Sequence, residues 1–327
     1  MKLLVTGGLG FIGSNFILHV LKNYPEYKII NVDAEFYGSN FANLLNLDST
    51  NYQYVHGNIS DYSLIDKLLF DCDAVINFAA ESFVDRSIAN AKPFLESNIN
   101  GVFNILECIK KHKKKFLQIS TDEVFGSLTN ESATENFPFN PSSPYAATKA
   151  CAEMLVNSYN ITHDCETIIT RCTNNYGPRQ FPEKLIPKII LLAEKNRKIP
   201  IYGSGKNLRD WLFVDDHCEA IFSILEHGKS GQSYNISSNK EIDNITIVEK
   251  ILSIMGKSSD LIEFVEDRPG HDFRYSMNSD KVRKEMNWKP KIDFDTGLEN
   301  TVNWYISNPD WKNNISEQIF ESTPWKK

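Results

Sequence analysis

The run Lys2-Leu3-Leu4-Val5-Thr6-Gly7-Gly8-Leu9-Gly10-Phe11-Ile12-Gly13 decides the fold. Its first five residues predict a buried strand over 2–6, and the apolar periodicity that follows predicts a helix over 11–23. Gly7, Gly10 and Gly13 sit between them at the spacing G-x-x-G-x-x-G. Such a turn lets the backbone approach a pyrophosphate at the helix N-terminus. Asp33 lies 20 residues past Gly13, at the end of the next expected strand, where a carboxylate accepts from adenosine ribose hydroxyls. Asp33-Ala34-Glu35-Phe36 offers no Lys or Arg to a 2′-phosphate, so NAD is expected rather than NADP.

Outward from this unit, short β-branched runs alternate with amphipathic segments. Strands are expected at 28–33, 52–56, 74–79, 115–120 and 166–172, and helices at 61–70, 94–112 and 145–163. The fold class implied is α/β, a Rossmann-type doubly wound parallel sheet. Beyond residue 173 the rhythm breaks, with helices expected near 184–196, 246–256 and 280–286. Thr246 and Glu249 have the spacing of a capping box. The expected division is 1–173 for NAD and 174–327 for a smaller, mixed substrate lobe, with 211–237 returning to the first.

The chain has 327 residues, 41% hydrophobic and 24% charged, and a net charge of −7. That acidity argues against nucleic-acid binding. The basic run 110–115 is expected to end a helix rather than form a patch. The six cysteines contain no C-x-x-C pair, which points to a reduced, cytoplasmic setting. The N-terminus is expected to be mature structure, and no apolar run is long enough for a membrane span. His217, among Asp215, Asp216, Cys218 and Glu219, has a spacing that fits no metal ligand set and is expected to open an acid-capped helix.

The chemistry is carried by Thr121-Asp122-Glu123, Tyr145 and Lys149. Tyr145 and Lys149 are four apart on one expected helix and share a face. A nearby ammonium favours a phenolate, so Tyr145 can act as base in alcohol oxidation. Thr121, at a strand's C-terminal end, faces the cofactor in such a sheet. Simple hydride transfer has no use for two adjacent carboxylates, whereas a dehydration needs an acid and a base. Arg209 and Arg268 suit a diphosphate bidentately, although a structural Arg209–Asp210 pair is an alternative.

Seven segments in order resemble the dTDP-glucose 4,6-dehydratase family of the extended short-chain dehydrogenase/reductase superfamily. They are GGLGFIGSNF (7–16), NFAAESFVDRSI (77–88), ISTDEVFG (119–126), SPYAATKA (143–150), TRCTNNYGPRQFPEKLIP (170–187), LRDWLFVDDH (208–217) and EDRPGHDFRY (266–275). The resemblance implies a homodimer that retains NAD and turns a nucleotide-diphosphate glucose into a 4-keto-6-deoxy sugar. It gives Tyr145 the C4 hydroxyl proton, Glu123 the C5 proton and Asp122 the departing C6 hydroxyl, with Thr121 and Lys149 in support.

The same resemblance implies that Phe11, Ile12, Asp33, Ala34, Glu35, Phe36, Asn58, Ile59, Phe78, Ala79, Ala80, Glu81, Ser82, Ser97 and Asn175 line NAD. Ser82, Thr121 and Asn174 are implied on the sugar side. Lys184, Leu185, Pro200, Ile201, Tyr202, Arg209, Asn244, Asp267, Arg268, Pro269, Gly270 and His271 are implied around the nucleotide diphosphate. Phe83, Asn58 and Phe125 stand where that family usually has His, Asp and Tyr. Thymidine and uridine nucleotides stay open alternatives, because one methyl separates the bases. A non-enzymatic cofactor scaffold predicts a damaged catalytic set, whereas all five residues are present.

Overall fold

A computed structural model describes residues 1–45, 47, 50–312, 315–320 and 324–326. In chain order the first half comprises β1 (Lys2–Thr6), α1 (Phe11–Asn23), β2 (Lys28–Asp33), β3 (Tyr52–His56), α2 (Tyr62–Phe70), β4 (Ala74–Asn77), α3 (Val84–Ala89), α4 (Lys92–Leu95), α5 (Val102–His112), β5 (Lys115–Thr121), α6 (Pro144–His163) and β6 (Thr167–Cys172). The second half adds β7 (Asn174–Tyr176), α7 (Leu185–Glu194), β8 (Ile199–Tyr202), β9 (Leu208–Phe213), α8 (Val214–His227), β10 (Ser233–Ile236), β11 (Glu241–Asp243), α9 (Asn244–Ile254), β12 (Ile262–Val265), α10 (Asp280–Glu285) and α11 (Phe294–Ser307).

Seven parallel strands run β10-β6-β5-β4-β1-β2-β3, the doubly wound sheet expected. Helices cover both faces, so β4 and β6 are buried at every residue, Arg171 and Asn77 included. The chain reverses direction across the sheet between β1 and β4, and ligands bind outside the carboxyl ends at such a switch point. A three-stranded sheet, β11-β9-β7, and the β12-β8 pair build the smaller mixed part over an apolar core. The segment 211–237 is split. Trp211–Phe213 belongs to β9 of the small sheet, α8 packs on α1, and β10 closes the edge of the large sheet.

Local chemistry explains the element ends. Ser143 caps α6 by accepting from the Ala146 amide at 3.1 Å, and Pro144 occupies the first turn, where its missing N–H costs nothing. Three expectations need correction. The cap of α9 is Asp243, accepting from the Thr246 amide at 2.8 Å, so Thr246 lies inside the helix rather than at its cap. The expected helix 94–112 is interrupted by a π-helical stretch over Glu96–Gly101. α8 carries Asp215 and Asp216 in its first turn but has no side-chain cap.

His217 is fully buried, and neither ring nitrogen has a hydrogen-bond partner among the described residues. Burial pushes its imidazole down to about 3, so it is a neutral core residue. No cluster of metal-ligating side chains occurs among the described residues. Four of the six residues of the basic run are paired with carboxylates: Lys111 and His112 meet Asp66, Lys110 meets Glu107, and Lys115 meets Glu166. All six cysteines are free, and only Cys151 is exposed. No described helix is long and apolar enough to cross a membrane.

Candidate active site

The glycine turn forms a cradle that side chains would fill. Gly7 has φ +72°, and a Cβ there would lie 2.5 Å from the Ala79 amide nitrogen. A Cβ on Gly13 would sit 2.4 Å from the Gly7 carbonyl. Asp33 locks this turn to β2, accepting from the Leu9 amide at 2.9 Å and the Glu35 amide at 2.8 Å. Each carboxylate oxygen retains capacity for a ribose hydroxyl. These residues fit a dinucleotide.

One cleft is lined by Gly7, Gly10, Phe11, Ile12, Gly13, Asp33, Ala34, Phe36, Asn58, Ile59, Phe78, Ala79, Ala80, Glu81, Ser82, Ser97 and Asn175. Glu35 is the exception among the residues expected at the cofactor. Its backbone is left-handed at φ +58°, and its carboxylate turns to the Tyr54 hydroxyl at 2.6 Å, outside the lining.

Thr121, Asp122, Glu123, Tyr145 and Lys149 line the same cleft. β5 ends at Thr121, whose hydroxyl accepts from the Glu123 amide at 3.3 Å and donates to Asp122 Oδ1 at 3.2 Å. A single 3₁₀ turn then holds both carboxylates at the sheet's carboxyl edge. Asp122 Oδ2 and Glu123 Oε2 are buried with no hydrogen-bond partner among the described residues. Burial first, then the Glu123 carboxylate, pushes Asp122 up to about 8. Burial also raises Glu123, but Arg268, Lys184 and Arg209 oppose it. Asp122 is therefore suited to hold a proton and Glu123 to take one.

Burial, then Glu123, Cys172 and Asp122, drive the Tyr145 phenol well up, against a lowering by the Thr121 hydroxyl. Lys149 donates to the Ile119 carbonyl at 2.6 Å, and burial pushes its ammonium down to about 8. The lowering of Tyr145 expected from Lys149 alone is thus outweighed by desolvation, with the Glu123 carboxylate adding to it.

A single amide ties the two halves of the cleft together. Asn98, inside the π-helical stretch, accepts from the Glu81 amide at 2.9 Å and donates to the Glu81 carbonyl at 3.0 Å. It also donates to Thr148 Oγ1 at 3.0 Å, and Thr148 in turn bonds the Tyr145 carbonyl at 2.7 Å.

On the substrate side, Ser82, Thr121, Asn174 and Lys184 line the cleft, and Lys184 donates to the Ser82 carbonyl at 2.7 Å. Leu185, Pro200, Ile201, Tyr202, Arg209, Asn244, Asp267, Arg268, Pro269, Gly270 and His271 lie outside its lining. Several of these form a second cluster. Arg268 and Tyr202 converge on Asp85 at 2.8 and 3.0 Å, and the Arg268 Nε is buried without a partner among the described residues. His271 contacts Asp267 at 2.6 Å, and burial, then Arg268, lowers its imidazole to about 4. Arg209 donates to the Leu208, Phe273 and Asp272 carbonyls, while Asp210 is taken by Ser238 and Asn239, so no Arg209–Asp210 pair forms.

Tyr37, Phe181, Gln180 and Cys172 also line the cleft without having been singled out from the sequence. Tyr37, Phe83 and Phe181 pack edge to face, with ring centroids 4.9–5.7 Å apart. Arg86 stacks over Tyr37 at 3.5 Å while gripping Glu183 through two nitrogens. Phe83, where the resemblance leads one to expect His, lies under the Lys184 ammonium at 4.8 Å. Phe125, in place of Tyr, is buried against Phe137 and the Arg171 guanidinium. Asn58, in place of Asp, accepts from the Ser60 amide at 2.9 Å. Gln180 and Cys172 complete that wall.

Comparison with known proteins agrees with this geometry. Residues 4–301 match the family model described as GDP-mannose 4,6 dehydratase. The low-salt glycan biosynthesis protein Agl12 of Haloferax volcanii is 47% identical over 94% of this chain and 99% of its own. The dTDP-glucose 4,6-dehydratase of Streptomyces niveus is 42% identical over 95% of this chain and 94% of its own. The crystal structure of DesIV, a dTDP-glucose 4,6-dehydratase from Streptomyces venezuelae with NAD bound, superposes with a TM-score of 0.95 at 40% identity, covering 97% of this chain and 100% of that one. The NAD complex of dTDP-glucose 4,6-dehydratase from Bacillus anthracis gives 0.90 at 44% identity, over 95% and 98%. The chain belongs to the nucleotide-sugar 4,6-dehydratase family that this model describes, together with the dTDP-glucose 4,6-dehydratases.

Proposed function

We propose that this protein is an NAD-dependent dTDP-glucose 4,6-dehydratase. One observation carries the reading: two adjacent buried carboxylates, one pushed up to about 8, share a cleft with Tyr145, Lys149 and a dinucleotide cradle. Gly7, Gly10, Gly13, Asp33, Asn58 and Phe78 to Ser82 hold the cofactor. NAD bound there supplies a carrier that accepts hydride from C4 of glucose and later returns it to C6.

The chain's own groups move the protons. Tyr145, beside Thr121 at the end of β5, takes the C4 hydroxyl proton, and positive charge on a bound oxidised cofactor would oppose the Glu123 carboxylate that raises the phenol. The 4-keto group acidifies C5, whose proton passes to Glu123. Asp122 delivers its proton to the C6 hydroxyl, which leaves as water, and Glu123 gives its proton back to C5 when C6 is reduced, which completes the 4-keto-6-deoxy sugar. Lys184, Arg209 and Arg268, three buried cations near Glu123, bind the diphosphate within residues 174–327. Six free cysteines fit a reducing, cytoplasmic setting. Exposed Phe103, Met154 and Ile161 on α5 and α6 support a homodimer, checked by sedimentation.

The purified protein, with no added NAD, is incubated with dTDP-glucose and with UDP-glucose in parallel. Loss of one water from the thymidine substrate to give a 4-keto-6-deoxy product supports the proposal. Faster turnover of UDP-glucose moves the assignment to the uridine nucleotide. Unchanged mass with both sugars overturns it.

A further inference from the structure

Gln180 lines the cleft on the wall built by Cys172, Thr173, Asn174 and Asn175, beyond the carboxyl end of β6. It is 6% exposed and Asn175 7%. Both side-chain amides are oriented by the main chain: Asn175 Nδ2 donates to the Thr173 carbonyl at 3.0 Å, and Gln180 Nε2 to the Asn175 carbonyl at 2.8 Å. Each NH₂ group is thereby committed, which fixes which end of each amide is oxygen. Asn175 Oδ1 and Gln180 Oε1 are then left buried with no hydrogen-bond donor among the described residues. A buried acceptor with no donor costs free energy, so two on one wall mark a place where a ligand supplies N–H or O–H groups.

Chemistry narrows the ligand. An ionised diphosphate offers acceptors only and cannot satisfy these oxygens. The adenosine end of the cleft lies with Asp33 and Asn58 after β2 and β3, on the other side of the switch point. The β6 side of the sheet carries Thr121 and Cys172, paired in register at the strand ends, where the redox chemistry occurs. We propose that Gln180 is a cofactor-binding residue which, with Asn175, accepts hydrogen bonds from the carboxamide NH₂ of the nicotinamide. The inference rests on the proposed NAD chemistry. It gives the ring a fixed rotation, so that one face meets the sugar.

The test uses 3-acetylpyridine adenine dinucleotide, in which a methyl replaces the carboxamide NH₂. Holoprotein is equilibrated with an excess of NAD and the analogue until exchange of isotope-labelled NAD is complete, and the bound dinucleotides are quantified by mass. The unmodified protein is expected to prefer NAD, and Gln180→Met to lose about two- to tenfold of that preference, the range of one neutral hydrogen bond. Gln180→Glu, which keeps an acceptor oxygen but loses the Nε2 donor to the Asn175 carbonyl, is expected to retain more of the preference than Gln180→Met. Equal affinity of all three proteins for ADP-ribose, which lacks the ring, shows the cradle intact. An unchanged preference in Gln180→Met overturns the proposal: with a raised KM for the sugar nucleotide the oxygen belongs to a sugar hydroxyl, and with an unchanged KM to water. Absence of dehydration by the unmodified protein would sink the functional reading while leaving this preference measurable.

Discussion

Lys149 reaches from α6 to the main-chain carbonyl of Ile119, 2.6 Å away, and so buries its ammonium beside the end of β5. Burial lowers its pKa from the ordinary 10.5 to about 8. A depressed pKa means that the folded state resists the charge. The cost is absent above pH 10.5, grows as pH falls, and is complete below about 8. Lys149→Met is therefore expected to gain stability relative to the unmodified protein as pH falls from about 10.5 to 8, while turnover drops. Urea melts across that range check the slope; a slope of opposite sign refutes a buried cation.

Asp122 runs the other way. Its pKa is raised from 3.8 to about 8, so its proton is held in the fold at neutral pH. Stability from this site is complete below pH 3.8 and is lost as pH rises toward 8. Asp122→Asn is expected to raise Tm by an increment that grows across that window and is flat above it. Dehydration by the unmodified enzyme is expected to decline above pH 8, as the acid loses its proton. An increment independent of pH would show Asp122 ionised throughout.

Glu123→Gln removes the proposed C5 base and leaves the cradle and Tyr145 in place. It is expected to retain NAD and to slow water loss by about 10²-fold or more, with reduced nicotinamide building up during turnover. Tyr145→Phe is expected to lose that reduced species as well. Turnover comparable to the parent in Glu123→Gln would return the base role to another group.

Glu153 is fully buried and grips Arg171 at 2.6–3.0 Å, and Arg171 also reaches the Glu135 carbonyl and lies over Phe125 and Phe139. Removing one partner strands a buried charge. Glu153→Ala is expected to cost about 3–5 kcal/mol in urea unfolding, with NAD retained by what folds. A loss below about 1 kcal/mol would mean that water reaches the guanidinium.

Much of this was legible because local chemistry decided it. The Gly7–Gly13 turn needs glycine for steric reasons visible in the spacing, and short β-branched runs between amphipathic segments marked the parallel strands. Pro144 announced α6, and the unusual doubling of Asp122 and Glu123 announced an acid and a base. What stayed hidden depends on pairings far apart in the chain. Asp85 meets Arg268 across 183 residues, and Tyr37 meets Glu183 across 146. Asp243 outcompeted Thr246 as a cap because β11 delivers the chain one turn earlier. Tyr145's phenol could not be judged from its spacing to Lys149, since burial sets its sign.

The Asn98 bridge means that the gap between Glu81 and the turn of α6 that carries Tyr145 is measured by a side chain rather than by the length of polypeptide between them. Such a strut decouples active-site registration from loop length, so the turn around Asn90 can lengthen or shorten over generations without retuning the chemistry. A two-residue insertion after Asn90 is accordingly expected to spare NAD retention, and Asn98→Ala to impair it. The reverse ranking would show that chain length, and not the amide, holds the two halves in step.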